Sequence, residues 1–259
     1  MDPLDKSTPE WRALVRPSSY NNPVPRGRYN LIVIGAGTAG LVAATGAAAL
    51  GDRVALIERD QIGGSRLNVG DVPSKILVRA ARAVADVRRA SELGVQNSGE
   101  LQTDFPRIMR RVLEVQTQMA AGDNVTRLTQ QSVDVYFGDA RFGDGGHISV
   151  QGQRLAFARA LIATGSSPAL PQIPGLADVQ PLTNENLFSL DKLPPRLAII
   201  GAGPIGCEMA QAFTRFGSRV TIYDKQPRIL PAEDLAPAEI VREALQQLEV
   251  GHLAHFLEP

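Results

Sequence analysis

The sequence predicts an α/β fold on three observations. Short strand-like apolar runs alternate with stretches of helical periodicity. One unit of strand, glycine-rich turn, helix, strand and acid occurs twice. The composition is that of an ordinary packed protein. The 259 residues are 44% hydrophobic and 21% charged, well clear of disordered chains, and the length admits one large domain or two small ones. Basic and acidic residues balance at 27 each, which argues against nucleic-acid and membrane-surface partners. Cys207 is the single cysteine, so an intramolecular disulfide and a cysteine-rich metal cluster are both excluded. Residues 1–20 lack the apolar core of a signal peptide. The longest weakly polar run, Leu41 to Leu50, is too short to cross a bilayer. The expectation is a soluble, cytoplasmic protein.

The elements follow in order. Residues 1–28 carry Pro3, Pro9, Pro17, Pro23 and Pro25 with little periodicity, and are expected as an extended arm draped over the domain. Asn30 to Ile34 is an apolar run ending in Gly35, as a buried strand would. Leu41 to Leu50 reads as a helix with small residues toward the sheet, and Arg53 to Ile57 as a second buried strand. From Ser74 to Ala90, Leu77, Ala80, Val84 and Val87 share one helical face, with Arg82, Asp86 and Arg89 on the other. Asp104 to Met119 is a helix striped by Phe105, Ile108, Met109, Val112 and Val115. Val133–Phe137, His147–Val150 and Ala158–Ala163 read as strands, with Gly143-Asp-Gly-Gly146 as a turn between them. Pro168, Pro171 and Pro174 mark a linker, and Pro194 and Pro195 precede the next strand. Pro237 to Leu248 is expected as a last helix, with room for one short strand after it.

The repeat carries the chemistry. Leu31-Ile-Val-Ile-Gly-Ala-Gly-Thr-Ala-Gly40 returns as Leu197-Ala-Ile-Ile-Gly-Ala-Gly-Pro-Ile-Gly206, 166 positions later. The same spacing sets Gly51 on Gly217, Arg53 on Arg219, Val54 on Val220 and Glu58 on Asp224. Gly35 or Gly201 makes the tight turn off the strand. Gly37 or Gly203 lets a pyrophosphate approach the backbone, and Gly40 or Gly206 lets the helix pack close to the sheet. The helix N-terminus offers free N–H groups and a positive dipole end. Glu58 or Asp224 then accepts from ribose hydroxyls. Two such units imply two dinucleotides, FAD and a nicotinamide cofactor. The predicted architecture is therefore two Rossmann-type domains, at 29–190 and 191–259, after the arm at 1–28.

Gly63-Gly-Ser-Arg-Leu-Asn-Val-Gly-Asp-Val-Pro-Ser-Lys75 resembles the redox segment of the class I pyridine nucleotide–disulfide oxidoreductases, Gly-Gly-Thr-Cys-Leu-Asn-Val-Gly-Cys-Val-Pro-Ser-Lys. That family includes lipoamide dehydrogenase, glutathione reductase and mercuric reductase. The similarity runs from about Tyr29 to about Leu248. It includes Ala163-Thr-Gly165 and Gly206-Cys-Glu208. The stretch from Val135 to Phe142 and the arm before Tyr29 look most like the mercuric-reductase-like branch. The resemblance assigns 29–190 as a Rossmann-type FAD-binding domain and 191–259 as a partial NAD(P)-binding Rossmann domain. The resemblance implies cofactor contacts from Gly35, Gly37, Thr38, Ala39, Gly40, Glu58, Arg59, Gly64, Ser65, Lys75, Ala140, Thr164 and Gly165. In the second motif it implies them from Gly201, Gly203, Gly206, Glu208 and Asp224. It also implies an ion pair between Lys75 and Glu208, against the alternative of two exposed charges.

The departures weigh as much. The two family cysteines are replaced by Arg66 and Asp71, neither of which forms a thiolate or a disulfide. No catalytic residue is assigned. The pair reads either as a salt bridge filling the vacated site or as an acid on the flavin side. Cys207 reads as a small packed helix residue. Leu197 to Pro259 is only 63 residues, too few for the rest of a doubly wound sheet, the second flavin segment and the interface domain that the resemblance implies. The family homodimer is accordingly not expected.

Other candidates are weaker. His252 and His255 lack further metal ligands nearby and are expected to face solvent. Arg79, Arg82, Arg88 and Arg89, interrupted by Asp86, read as a solvated helix face. Gly165-Ser-Ser-Pro168 is not a nucleophile elbow. The expected activity is transfer of electrons from NAD(P)H through FAD to a small acceptor without disulfide chemistry. The alternative is a non-catalytic dinucleotide-binding remnant or regulatory fragment. Asp224 favours NADH, while Lys225 and Arg228 leave NADPH open.

Overall fold

A computed structural model describes residues 9–96 and 101–253. The chain forms two compact units. One comprises the chain up to Pro73, Leu113–Leu170 and Leu182–Ser189; the other comprises Ser74–Val112, Pro171–Pro181 and Leu190 onward.

The first unit is built on six strands: β1 (Arg28–Ile34), β2 (Val54–Glu58), β3 (Val133–Phe137), β4 (Arg141–Gly143), β5 (His147–Val150) and β6 (Gln153–Ile162). They lie in the order β3-β2-β1-β6-β5-β4. β1 runs parallel to both neighbours, with Ile32 opposite Ala55 on β2 and Ala160 on β6. β4 and β5 complete the sheet in antiparallel sense. Val54 to Ile57 are buried without a break, as a parallel strand covered on both faces requires. The two-residue period then divides the core. Val33, Leu56, Val133 and Val135 pack on one face with α2 (Thr38–Ala49) and α6 (Val125–Gln130). Ile32, Ala55, Ile57 and Tyr136 pack on the other with Ile148, Val150 and Leu155. Each fully buried aliphatic side chain contributes about 1.5–3 kcal/mol of transfer free energy.

The arm differs from its expectation. Pro9–Val15 is a helix, α1, with Trp11 and Val15 buried. Proline at the first helical position lacks only an N–H that would be unbonded anyway, so Pro9 starts the helix rather than preventing it. Beyond α1 the arm is extended. The Tyr20 hydroxyl donates to Val135 O at 2.9 Å. Asn22 exchanges two bonds of 2.8 Å with the backbone of Phe137. β6 starts five residues before the predicted strand, because the polar stretch from Gln153 pairs antiparallel with β5. β4, exposed throughout, was not predicted.

The second unit has a parallel three-stranded sheet of β7 (Arg196–Ile200), β8 (Arg219–Tyr223) and β9 (Gly251–Leu253). A short helix, α7 (Asn184–Leu187), precedes it in the chain, and the sheet is flanked by α8 (Pro204–Phe216) and α9 (Leu235–Gln247). α8 ends at Gly217, whose φ of 116° is a left-handed cap. Phe213 and Phe216 stack at 5.9 Å on Phe105, which opens α5 (Phe105–Ala120). In α4 (Asp71–Arg88) the predicted apolar face buries Leu77, but Val87 is exposed. The buried side follows Leu77 and Ala81, and the helix's final turn lies in water.

A polar group sits inside the first core. The Tyr29 hydroxyl donates to Asp134 Oδ2 at 2.7 Å. Its single hydrogen being engaged, it accepts from the Tyr136 hydroxyl at 2.8 Å. The Arg53 guanidinium lies 4.9 Å over the Tyr29 ring. Burial, then the bonds to Asp134 and Tyr136, raise the Tyr29 phenol far above its ordinary value. Burial also raises Tyr136, and pushes Tyr20 up to about 12. Raised phenols make the folded state hold protons that the unfolded chain releases. Their stabilisation is complete below the unfolded value of about 10 and is lost as pH climbs through the folded values. Denaturant midpoints are therefore expected to hold to about pH 9.5 and fall steadily above pH 10. Tyr29→Phe, which strands Asp134, is expected to cost about 1–3 kcal/mol at pH 8 and to flatten that alkaline fall.

Candidate functional site

Both predicted turns form, and they form alike. Gly35 and Gly201 have φ of +103° and +109°, the left-handed region that glycine enters freely. A Cβ on Gly40 would collide with the Gly35 carbonyl oxygen, and one on Gly206 with that of Gly201. These two glycines set how closely each helix meets its strand. Gly37 and Gly203 precede α2 and α8 in extended backbone, with no side-chain cap and no acid in the first turn. Thr38, Ala39 and Gly40 make the exposed-to-buried start of α2. A Cβ on Gly64 would press on Gly37 Cα, so the loop bearing Gly64 and Ser65 lies against the first turn.

The two acids have a common arrangement. Glu58 Oε2 accepts the Ala36 N–H at 2.7 Å and its Oε1 accepts the Asp60 N–H at 2.8 Å. Asp224 Oδ2 accepts the Ala202 N–H at 2.6 Å and its Oδ1 accepts the Gln226 N–H at 2.7 Å. Each carboxylate thus ties the middle of the glycine turn to the loop after the second strand. The pattern repeats at the 166-residue spacing of the sequence repeat. Ribose hydroxyls would meet the remaining lone pairs of a carboxylate already fixed in place.

Beside the first turn lies a cavity of about 400 Å³ lined by Gly35, Glu58, Arg59, Ala140, Thr164 and Gly165, all candidates from the sequence. Gly138, Asp139, Ser166 and Ser167 also line it. The sequence assigns no cofactor contact to these four, although Gly138 and Asp139 lie in the stretch from Val135 to Phe142 and Ser166 and Ser167 in Gly165-Ser-Ser-Pro168. Gly35 faces the strand end opposite, where a Cβ would strike the Ala163 carbonyl oxygen. The lining combines a carboxylate, a guanidinium, hydroxyls and glycine backbone, a set of donors and acceptors that fits the ADP portion of a dinucleotide.

In the second unit Lys75 Nζ meets both Glu208 oxygens, at 2.6 and 2.8 Å, which is the ion pair the resemblance implied. Cys207 is buried beside the second turn and donates to Ala202 O at 3.5 Å. Burial, then the charge of Asp224, push its thiol up to about 11. At the redox segment, Arg66 lies in α3 (Gly64–Asn68) and Asp71 opens α4. Arg66 Nη2 pairs with Asp123 Oδ2 at 3.5 Å, and its Nε is buried without a hydrogen-bond partner. His252 departs from expectation. It is half-buried in β9 with Nε2 enclosed and unpartnered, because β9 pairs with β8 and carries His252 into the sheet opposite Ile222. His255 lies outside the described residues. Among the described residues no group of three or more His, Cys, Asp or Glu could hold a metal, and no helix is long and apolar enough to cross a membrane. Arg79, Arg82, Arg88 and Arg89 are exposed.

Known proteins agree with this geometry. A mercuric reductase from Lysinibacillus sphaericus is 36% identical over 218 residues, which is 84% of this chain and 40% of that protein. A dihydrolipoyl dehydrogenase from Acholeplasma laidlawii is 36% identical over 210 residues, 80% of this chain and 62% of that protein. The chain therefore spans between two fifths and two thirds of the length of these relatives. Among solved structures, the Cu(II) complex of the HOCl-induced flavoprotein disulfide reductase RclA from Escherichia coli superposes with a TM-score of 0.75 at 31% identity. It covers 87% of this chain and 49% of that one. The family described as pyridine nucleotide-disulphide oxidoreductase matches residues 29–254, and the chain belongs to it.

Proposed function

We propose that this chain holds the two dinucleotide sites of a flavin-dependent oxidoreductase that works without a disulfide at its redox segment. Residues 29–190 take FAD and residues 191–259 take the nicotinamide cofactor, in the cytoplasm. Electrons pass from NAD(P)H to a small acceptor, and no nucleic acid or membrane is involved. The observation that carries the reading is the duplicated carboxylate clasp, Glu58 on Ala36 and Asp224 on Ala202. Bound FAD would supply the hydride-accepting chemistry.

The protein's own residues do the rest. The uncapped starts of α2 and α8 seat pyrophosphates. Glu58 and Asp224 orient riboses. Arg59, Ala140, Thr164 and Gly165 line the adenosine side of the first site, with Gly64 and Ser65 by the phosphates, and Lys75 with Glu208 holds a charge pair in the second unit. Arg66 and Asp71 carry no sulfur, and Cys207 stands 136 positions from Asp71 with a thiol that stays protonated at neutral pH. Dithiol exchange thus has no nucleophile here. In the second site Arg228 Nη2 donates to Pro231 O at 2.8 Å and Glu233 O at 2.9 Å. That guanidinium braces its own loop, which leaves Asp224 and the exposed Lys225 to set the preference, and the buried carboxylate beside the ribose favours an unphosphorylated one, hence NADH.

Anaerobic titration with NADH after loading with FAD is expected to bleach the visible flavin absorbance. Turnover with lipoamide or glutathione disulfide is expected to stay below a tenth of a typical 10 s⁻¹, roughly. A chain that binds ADP but shows no flavin bleaching would establish the non-catalytic nucleotide binder instead. Glu58→Ala is expected to weaken ADP about tenfold or more, one lost charged hydrogen bond being worth about 1.5–3 kcal/mol. Because the clasp also fixes the turn, the same variant is expected to weaken dideoxy-ADP, which lacks both ribose hydroxyls. Asp224→Ala is expected to reduce the preference for NADH over NADPH, measured as a ratio of dissociation constants by calorimetry.

A further inference from the structure

The arm is wired to the first carboxylate clasp. Arg16 follows α1 directly, and its Nη1 donates to Arg59 O at 2.7 Å, to Asp60 O at 3.2 Å and to Asp60 Oδ1 at 3.0 Å. The Asp60 N–H in turn donates to Glu58 Oε1, and the Ala36 N–H to Glu58 Oε2. The far end of the same loop is also held by the arm, through the Ile62 N–H donating to Val15 O at 3.0 Å. Buried Trp11 and Val15 anchor α1, and the Arg16 guanidinium lies 5.7 Å over the Phe137 ring. The loop that carries Arg59 into the cavity is thereby strapped at both ends.

The second copy shows what the strap replaces. There the carboxylate has the same two amide partners, but the loop after β8 is braced from within by Arg228. The first loop has no arginine of its own in that role. Arg59 lines the cavity instead.

We propose that Arg16 is a positioning residue of the first nucleotide site: through Asp60 it holds the Glu58 carboxylate on the glycine turn, so the arm helix sets nucleotide affinity without touching the nucleotide. This rests on the first site's being a nucleotide site, and the test separates the two. Both Arg16 and Asp60 are partly exposed, at 43% and 52%, so the effect is moderate. Solvent screens the Asp60 ion pair, while the two carbonyl bonds are less affected by salt.

Amide hydrogen exchange on the unliganded chain reads the positioning alone. Arg16→Ala is expected to speed exchange severalfold at Asp60 and Ala36 and to leave Gln226 and Ala202, the same amides of the second copy, unchanged. Calorimetry with ADP then reads the consequence. Arg16→Ala is expected to weaken ADP about three- to tenfold. Arg16→Lys is expected to recover most of this, since all three bonds go to one nitrogen. In a Glu58→Ala background, Arg16→Ala is expected to change ADP affinity less than about twofold, because the group it positions is gone. Unchanged exchange at Asp60 and Ala36, or an equal loss of ADP affinity with and without Glu58, overturns the proposal. Normal exchange effects in a chain that does not bind ADP would overturn the nucleotide reading and leave the strap standing. Should Arg16→Ala fail to fold, Asp60→Asn removes the ion pair but keeps both carbonyls, and is expected to give the same exchange pattern at smaller size; no change at Ala36 in that variant also overturns it.

Discussion

The structure depends on one bond made twice, a carboxylate at the end of a second strand accepting the N–H of the residue after a first strand's glycine. A left-handed glycine swings that N–H out of the sheet ladder and away from the helix that follows. Ala36 and Ala202 are fully buried, so the amide cannot turn to water, and an unmet buried donor costs about 1–3 kcal/mol. An acid at the neighbouring strand end answers it with a charge-assisted bond. The same acid accepts a second amide from its own loop, which fixes the carboxylate. Strand, turn, helix and second strand are locked as a unit, and the start of each helix carries no side-chain cap. Preorganisation of this kind reduces the ordering that a nucleotide would otherwise impose on binding.

The copies share the bond but differ in what surrounds it. Behind Gly35 stands the end of β6, so close that a Cβ would strike the Ala163 oxygen; around Gly201 no described atom lies within 4 Å of that position. Glycine is thus required at 35 by both backbone angle and crowding, and at 201 by angle alone. Glu58 reaches its turn from a partly buried position, whereas the shorter Asp224 is itself 9% exposed. A buried acid adds its charge to the burial that keeps the Cys207 thiol protonated, which makes that cysteine a packing residue of the second turn.

What the sequence revealed was local. The glycine spacings, the unbroken apolar run of β2 and the acid after each second strand are short-range patterns whose physics is complete within thirty residues, and both turns form as read. Lys75 with Glu208 came from resemblance, since 133 positions separate them. The arm helix was hidden because Pro9 reads as a breaker in composition and as a starter only once the helix is known. Val87 kept the helical period but outran the surface that α4 packs on, and His252 was drawn inward by strand pairing. Arg16 was illegible for a deeper reason. Two of its three acceptors are backbone carbonyls, which every residue possesses, so no residue type at Arg59 or Asp60 announces the contact.

The redox segment shows how far the fold is separable from its chemistry. In a segment whose sulfurs are replaced by Arg66 and Asp71, a disulfide cannot be what holds the backbone. Two other features hold it. Gly63 and Gly64 take φ of +101° and +58°, starting α3 in a conformation few other residues tolerate. At the other end the nearly buried Gln116 donates from Nε2 to Leu67 O at 2.8 Å and Asn68 O at 2.9 Å. Those are the last carbonyls of α3, which a short helix leaves unbonded. A side-chain amide on α5 therefore closes the helix that a cross-link would otherwise span. With Arg66 and Asp71 in this segment, its backbone is held by the two glycines at one end and by Gln116 at the other, and the Arg66 charge is met in part by Asp123.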